Sequence, residues 1–146
     1  MTVTGVDLLK MSQFELDEIY RNSYGGEIPD GNARGTAIIA PGSPATESVA
    51  SLIEMLAWQG KVFHRDRGYL LNRISPFGWE WVDAKVYVGD SWLCEGESVI
   101  LDYSQSSFFL AQPIRDEIRQ VAPRLYLGNA YWDKMRGLNF VLEFSE

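Results

Sequence analysis

The fold of this chain is decided by two segments, EWVDAKVYVG at residues 80–89 and ESVILDYS at residues 97–104. In the first segment, aliphatic side chains recur at every second position from Val82 onward, which is typical of a β-strand with one face in a core. Between the segments, Gly96 can adopt the positive φ that a tight turn requires. The two segments therefore predict an antiparallel hairpin.

Helices are predicted before this hairpin and strands on both sides of it. Residues 8–23 have an amphipathic helical pattern, with Ser12 and Glu15 spaced as a capping box. Ser43 and Pro44 are a cap and a first-turn proline, which predict the start of a second helix. The other predicted strands are residues 35–40, 58–64, 69–74, 124–132 and 138–144.

This order of elements favours a mainly β (α+β) fold over an alternating βαβ sheet, because the helices come early and the strands late. We expect a single domain over residues 1–146, long enough to bury a core without disulfides or metals. The specific expectation is an antiparallel lipocalin-like β-barrel with two N-terminal helices packed across one opening. Residues 114–121 could form either one or two helical turns or an edge strand.

Composition argues against several classes of protein. A net charge of −7 disfavours nucleic-acid and anionic-membrane partners, which need a basic face. Cys94 is the single cysteine, so a disulfide framework and a multi-thiolate zinc site are excluded. No phosphate-binding glycine loop, secretory signal or membrane-spanning apolar run is present in the sequence. We expect a cytoplasmic protein that uses no metal and no cofactor.

Aromatic residues make up 13% of the chain, and such side chains either line ligand cavities or simply fill a barrel. If they line a cavity, its volume should reach roughly 300 Å³. A helical interpretation of residues 114–121 would place Arg115 and Arg119 on one face, where they could hold a carboxylate or phosphate. The predicted ligand-binding residues are Trp58, Tyr69, Trp81, Tyr103, Arg115, Tyr126 and Phe140.

Asp102 is the first candidate for a catalytic residue. If Ile100 faces the core, Asp102 shares that face, and a buried carboxylate must be paired or must have a raised pKa. The candidate partners are Lys61, Lys85, Arg73 and Arg115, so the site is either a poised acid or base, or an interior ion pair. His64 is the single histidine; it is a candidate general base or a surface turn residue.

The order of sequence motifs along the chain resembles that of a functionally unassigned bacterial family, which has a Gly-x-Trp-x-Gly motif followed by a domain of unknown function. The resemblance lies in WQGKVF at residues 58–63, with further likeness at residues 100–103 and 125–128. Residues 31–35 occupy the position of the motif, but Ala33 stands where its tryptophan would be. The outline is also similar to lipocalin-like (calycin-like) barrels, which implies a small apolar ligand.

These observations support three hypotheses about function. The first is that the protein binds a small apolar or aromatic molecule in a barrel cavity. The second is that it is a cofactor-independent isomerase, cyclase or hydratase that uses a buried carboxylate in the same cavity. A protein-interaction domain is the third hypothesis, and a homodimer is left open.

Overall fold

The computed structural model describes residues 2–39 and 44–145. Eight antiparallel strands follow one another around a closed barrel, and the last strand pairs with the first. Closure leaves no unpaired sheet edge, which is the arrangement of up-and-down barrels such as lipocalins. The predicted mainly β barrel is confirmed. Its strands are β1 (Gly31–Ile38), β2 (Gly60–His64), β3 (Tyr69–Ile74), β4 (Trp79–Asp90), β5 (Glu97–Asp102), β6 (Ile114–Ala122), β7 (Leu125–Trp132) and β8 (Met135–Phe144).

The described residues also form the helices α1 (Gly5–Leu9), α2 (Gln13–Arg21) and α3 (Pro44–Met55). The helix predicted over residues 8–23 is broken, because the Ser12 and Glu15 capping box starts a new helix. The Ser12 amide donates to the Glu15 carboxylate at 3.0 Å, and the Ser12 hydroxyl accepts from the Glu15 amide at 3.2 Å. None of the described helices is long and apolar enough to cross a membrane.

Only one of the two predicted helical segments covers an opening of the barrel. α1 and α2 instead pack on the outer wall, where Leu8 and Tyr20 join Leu127 and Val141 in one buried cluster. These outward-facing apolar residues of β7 and β8 give the first segment a surface to cover. α3, which connects β1 to β2, packs against the barrel core and covers the opening. The predicted cap at Ser43 lies outside the described residues.

The predicted hairpin is confirmed as β4 and β5, but the side of β5 that faces the core differs from the prediction. Val86 pairs with Leu101, and both side chains are buried in the barrel core. Tyr103 follows on the same inner face, so Ile100 and Asp102 face outward. The expectation that Asp102 lies on the core side is therefore wrong, because cross-strand pairing with the aliphatic face of β4 selects the other face.

Residues 114–121 form most of strand β6 and are not helical. The alternation of a strand places Ile114, Asp116 and Ile118 toward the barrel interior. Arg115 and Arg119 face outward. This strand therefore brings an acidic side chain into the barrel.

Candidate functional site

A cavity of about 60 Å³ lies inside the barrel beneath α3. The expectation of a cavity of roughly 300 Å³ is therefore wrong for this structure, because core side chains fill most of the barrel interior. Leu52 and Ile53 of α3, and Leu56 just after this helix, line the cavity and are only half-buried, so the cavity opens toward solvent beside α3. The remaining lining residues are Val49, Trp58, Lys61, Asn72, Val82, Tyr103, Ala111, Ile114, Asp116, Ala130, Leu138 and Phe140.

Lys61 is the centre of the polar part of this cavity. It extends from β2 into the barrel, and only 3% of the residue is exposed. Its Nζ atom donates to Tyr103 Oη at 2.5 Å and to Asn72 Oδ1 at 2.9 Å. Asp116 Oδ2 lies 3.3 Å from the same nitrogen and forms a buried ion pair with it. Strands β3 and β6, and the residue that directly follows β5, thus contribute to the environment of one ammonium group.

Aromatic rings surround the Lys61 ammonium as well. Nζ lies 5.5 Å from the ring centre of Trp58, 5.1 Å from that of Tyr103 and 5.5 Å from that of Phe140. Aromatic faces attract a cation, and the attraction is strongest where water is excluded. The rings therefore stabilise a charge that the apolar cavity would otherwise disfavour.

Asn72 holds the polar residues in place. Its Oδ1 accepts a hydrogen bond from Trp58 Nε1 at 2.9 Å, in addition to the one from Lys61. Its Nδ2 donates to the carbonyl of Val82 and to Tyr103 Oη, each at 2.8 Å. Because Asn72 is 4% exposed and has all these partners, it fixes the positions of three neighbouring side chains.

One of the two Asp116 oxygens has no partner among the residues that the structure describes. The residue is 4% exposed, and Oδ1 is buried without a hydrogen bond. Buried polar atoms in native proteins are nearly always hydrogen-bonded, so an exception calls for an explanation. A ligand that donates a hydrogen bond into the cavity would supply one.

The pKa values in this cluster are shifted by burial and by the mutual contacts. Burial raises the pKa of Asp116, and the attraction of Lys61 offsets this only in part. Burial works against the charged form of Lys61, but Tyr103 and Asp116 keep its pKa above the ordinary value. Burial also raises the pKa of Tyr103. The cavity therefore holds a protonated lysine beside a carboxyl group with a raised proton affinity.

Four of the residues predicted from sequence meet in this cavity: Lys61, Trp58, Tyr103 and Phe140. Sequence reasoning missed Asn72 and Asp116. The signal for Asp116 was present, because it lies two residues from both Ile114 and Ile118, as expected for the apolar face of a strand. A helical interpretation of the same residues concealed it.

Asp102, the carboxylate predicted to be poised in the core, lies on the outer face of β5 and is half-buried. Burial by itself would raise its pKa, but hydrogen bonds from Ser104 and Tyr87 outweigh it and lower the pKa. Tyr87 donates its hydroxyl proton to Asp102 at 2.9 Å, and the Ser104 amide donates at the same distance. Among the described residues, the acid that lines the barrel cavity is Asp116.

Other predicted site residues also lie outside the barrel. His64 stacks on Tyr69, with ring centres 4.8 Å apart, and both residues are on the outward faces of their strands. Trp81 is 44% exposed and packs against Phe108. Arg73 points outward between buried neighbours and donates to the Ala33 carbonyl at 3.3 Å.

Arg115 and Arg119 do not form the predicted anion clamp, because each guanidinium is bound by the protein itself. Arg115 donates to Glu117 at 2.8 Å and lies over the ring of Trp92. Arg119 donates to the Tyr20 carbonyl at 3.0 Å, at the end of α2. Tyr126 is inside the barrel but away from the cavity.

The hydroxyl of Tyr126 donates to the carbonyl of Glu27 at 2.9 Å. Tyr126 lies four residues before Ala130, the residue of β7 that lines the cavity. It therefore belongs to the part of the barrel core beyond the polar cluster.

Comparisons with known proteins support the fold. No protein-family model matches the chain, and no curated protein matches it. The chain is similar to a crystal structure described as a protein from Thermomonospora curvata, with a TM-score of 0.65 and 20% sequence identity. The match covers 93% of this chain and 89% of that chain. At this identity the likeness shows the barrel fold alone, because function does not follow from fold.

Proposed function

We propose that this protein binds a small molecule with an apolar or aromatic body in the barrel cavity. The observation that carries the proposal is the buried Oδ1 of Asp116, which has no partner within residues 2–39 and 44–145 and belongs to a cavity with mostly apolar walls. Pockets for small molecules combine such walls with a few polar groups that orient the ligand. The cluster of Lys61, Asp116 and Tyr103 would be the orienting end of this pocket.

The size of the cavity limits the ligand. A volume of about 60 Å³ holds a few atoms, so a larger molecule must either extend past α3 or displace it. The side chains in its way are Leu52 and Ile53 of α3 and Leu56, which follows the helix, and all three are half-buried. α3 contributes no strand to the closed eight-stranded barrel.

The test is native mass spectrometry of freshly purified protein, together with denaturing analysis of any molecule that co-purifies. A bound molecule should be lost in Ala130→Val, which adds two methyl groups where β7 lines the cavity. Ala122→Val is the matched control, since Ala122 packs in the cluster on the outer wall.

Retention of the molecule by Ala130→Val, or its loss in both variants alike, would place binding elsewhere. If no molecule co-purifies, titration of the wild-type protein with small aromatic compounds replaces the first step. The absence of saturable binding in that titration would contradict the proposal.

Proton transfer in the same cavity is the second candidate function. It is favoured by the raised pKa of Asp116, because a buried carboxyl group with increased proton affinity can accept and return a proton. Lys61 and Tyr103 would orient the substrate or stabilise negative charge that develops on it. A cofactor-independent isomerase, cyclase or hydratase would need no further group.

Deuterium exchange tests this second candidate. The co-purifying molecule is incubated with the protein in deuterated water, and incorporation at carbon is measured by mass spectrometry. Asp116→Asn should abolish incorporation, whereas Asp102→Asn, on the outer face, should leave it unchanged. Equal incorporation by wild type and Asp116→Asn would remove this mechanism.

A further inference from the structure

The polar end of the cavity has hydrogen-bonding groups that the protein leaves unused, and they can be identified one at a time. The Lys61 ammonium has three N–H donors, and three oxygens lie 2.5, 2.9 and 3.3 Å from Nζ. These oxygens belong to Tyr103, Asn72 and Asp116. Lys61 therefore has no donor left for a ligand.

The Asn72 amide is also fully used. Its oxygen accepts two hydrogen bonds, from Trp58 and Lys61. Its nitrogen donates two, to the Val82 carbonyl and to Tyr103. An amide has two lone pairs and two N–H groups, so no position on Asn72 is open to a ligand.

Two groups remain open, one a donor and one an acceptor. Tyr103 Oη accepts from both Lys61 and Asn72, which leaves its own O–H without an acceptor among the residues that the structure describes. Asp116 Oδ1 is the open acceptor, since it is buried and no described residue donates to it. Both residues contact the Lys61 nitrogen, so one small head group can approach both.

We propose that the ligand is a neutral molecule whose apolar or aromatic body ends in a hydroxyl group. The hydroxyl donates to Asp116 Oδ1 and accepts from the Tyr103 O–H, so that one oxygen atom satisfies both open positions. A water molecule offers the same pair of bonds, and an alcohol or phenol reproduces those bonds when it displaces water. This inference rests on the proposed binding function and specifies the chemical class of its ligand.

Other head groups fit the cluster less well. A carboxylate offers acceptors only, meets the negative charge of Asp116, and finds no free donor on Lys61. An ammonium offers donors only and would lie beside the Lys61 cation. A pure hydrocarbon leaves Tyr103 and Asp116 unpaired in a buried site, which is costly.

The test compares probes that share a body and differ in head group. The aromatic set is para-methylphenol, toluene and para-methylbenzoate, and the narrower straight-chain set is hexanol and hexanoate. Binding to the full chain is measured at neutral pH by ligand-observed and protein-observed NMR. We expect para-methylphenol to bind about tenfold more tightly than toluene, which corresponds to about 1.4 kcal/mol. We expect neither carboxylate to bind.

Two variants show whether the open groups are responsible. Tyr103→Phe removes the donor and Asp116→Leu removes the acceptor, so each should bring the affinity for para-methylphenol within about threefold of that for toluene. A tyrosine on the outer face serves as the control: Tyr87→Phe should change neither affinity. Two-dimensional NMR spectra of each variant establish that it is folded before affinities are compared.

The outcomes separate the two proposals. If toluene or either carboxylate binds as tightly as the matched hydroxyl compound, the ligand class is wrong while cavity binding stands. If no member of either set binds at saturating concentration, the binding function itself fails. Tight binding of the hydroxyl compounds that is unaffected by both Tyr103→Phe and Asp116→Leu would overturn the assigned contacts.

Discussion

Lys61 and Asp116 belong to strands that are not neighbours in the barrel, yet their charged groups meet 3.3 Å apart inside it. Their side chains are only 4% and 6% exposed. Taking two such ions out of water costs several kcal/mol each, and their attraction repays this only when other hydrogen bonds complete the environment. Asn72 and Tyr103 supply those bonds to Lys61, while one oxygen of Asp116 is unpaired in the part of the chain that the structure describes. The cluster is therefore most sensitive to the loss of a single member.

Removing Lys61 alone should be costly, whereas removing both ions together should not. Lys61→Met leaves Asp116 buried without its counter-ion, and we expect the free energy of unfolding to fall by about 3–5 kcal/mol. The double variant Lys61→Met with Asp116→Leu should be within about 1 kcal/mol of wild type, or more stable. Urea denaturation of both single variants and the double variant completes a double-mutant cycle.

The control for this cycle is Arg34→Met, which breaks an ion pair with Glu143 on the surface, where the Arg34 side chain is 72% exposed. Its effect should be below about 1 kcal/mol. Additive losses in the Lys61 and Asp116 cycle would show that the two charges do not interact.

Tyr103→Phe should destabilise the protein by about 1–3 kcal/mol, because two buried donors lose their shared acceptor. Those donors are Lys61 Nζ and Asn72 Nδ2. Tyr87→Phe is the matched control, since Tyr87 is 43% exposed and its hydrogen bond to Asp102 lies on the outer face. Chemical denaturation measures both variants, and equal losses in the two would argue against a tightly coupled interior cluster.

The contribution of Asp116 to stability should decrease as pH rises. Burial raises the pKa of this carboxyl group in the folded protein above its ordinary value of 3.8. The folded state then holds the proton more tightly than the unfolded state. The resulting stabilisation is complete below about pH 3.8 and is lost as pH rises through the raised pKa.

Asp116→Asn removes the titration of this carboxyl group alone. Comparison with wild type therefore separates the effect of Asp116 from that of the other carboxylates. The measurement is the free energy of unfolding of wild type minus that of Asp116→Asn, obtained by urea denaturation across acidic and neutral pH. We expect this difference to decrease with rising pH. A difference that increases over the same range would mean that the attraction of Lys61 outweighs burial.

Arg119→Met should release α2 from the barrel wall without opening the barrel. Arg119 is 3% exposed and donates to the carbonyls of Tyr20 and Ser23 at the end of this helix, each at 3.0 Å. The loss of these charge-assisted bonds should cost roughly 3 kcal/mol. Hydrogen exchange should show reduced protection of the α2 amides with little change in β7 and β8.

Arg21→Met is the control, because Arg21 forms an exposed pair with Glu18 within α2 itself. Its effect on the free energy of unfolding should be below about 0.5 kcal/mol. Uniform loss of protection throughout the barrel in Arg119→Met would indicate a global effect in place of local release of α2.

Much of the fold was predictable because it depends on local physical rules. The alternation in residues 80–89 and the turn at Gly96 gave the central hairpin, and the order of helices and strands indicated the barrel. The capping box at Ser12 was also predictable, since its hydrogen bonds join residues three positions apart. In the site, Lys61, Trp58, Tyr103 and Phe140 were identified by residue type.

The sequence by itself determined which residues alternate along each strand, but the tertiary structure decided which face became the interior. Ile100 is 1% exposed although it faces outward, so apolar character did not distinguish the two faces of β5. Closure of the barrel and the packing of α1 and α2 on its outer wall bury residues on both sides of the sheet. The ion pair between Lys61 and Asp116 depends on that closure, because the two residues lie on strands that are far apart in sequence.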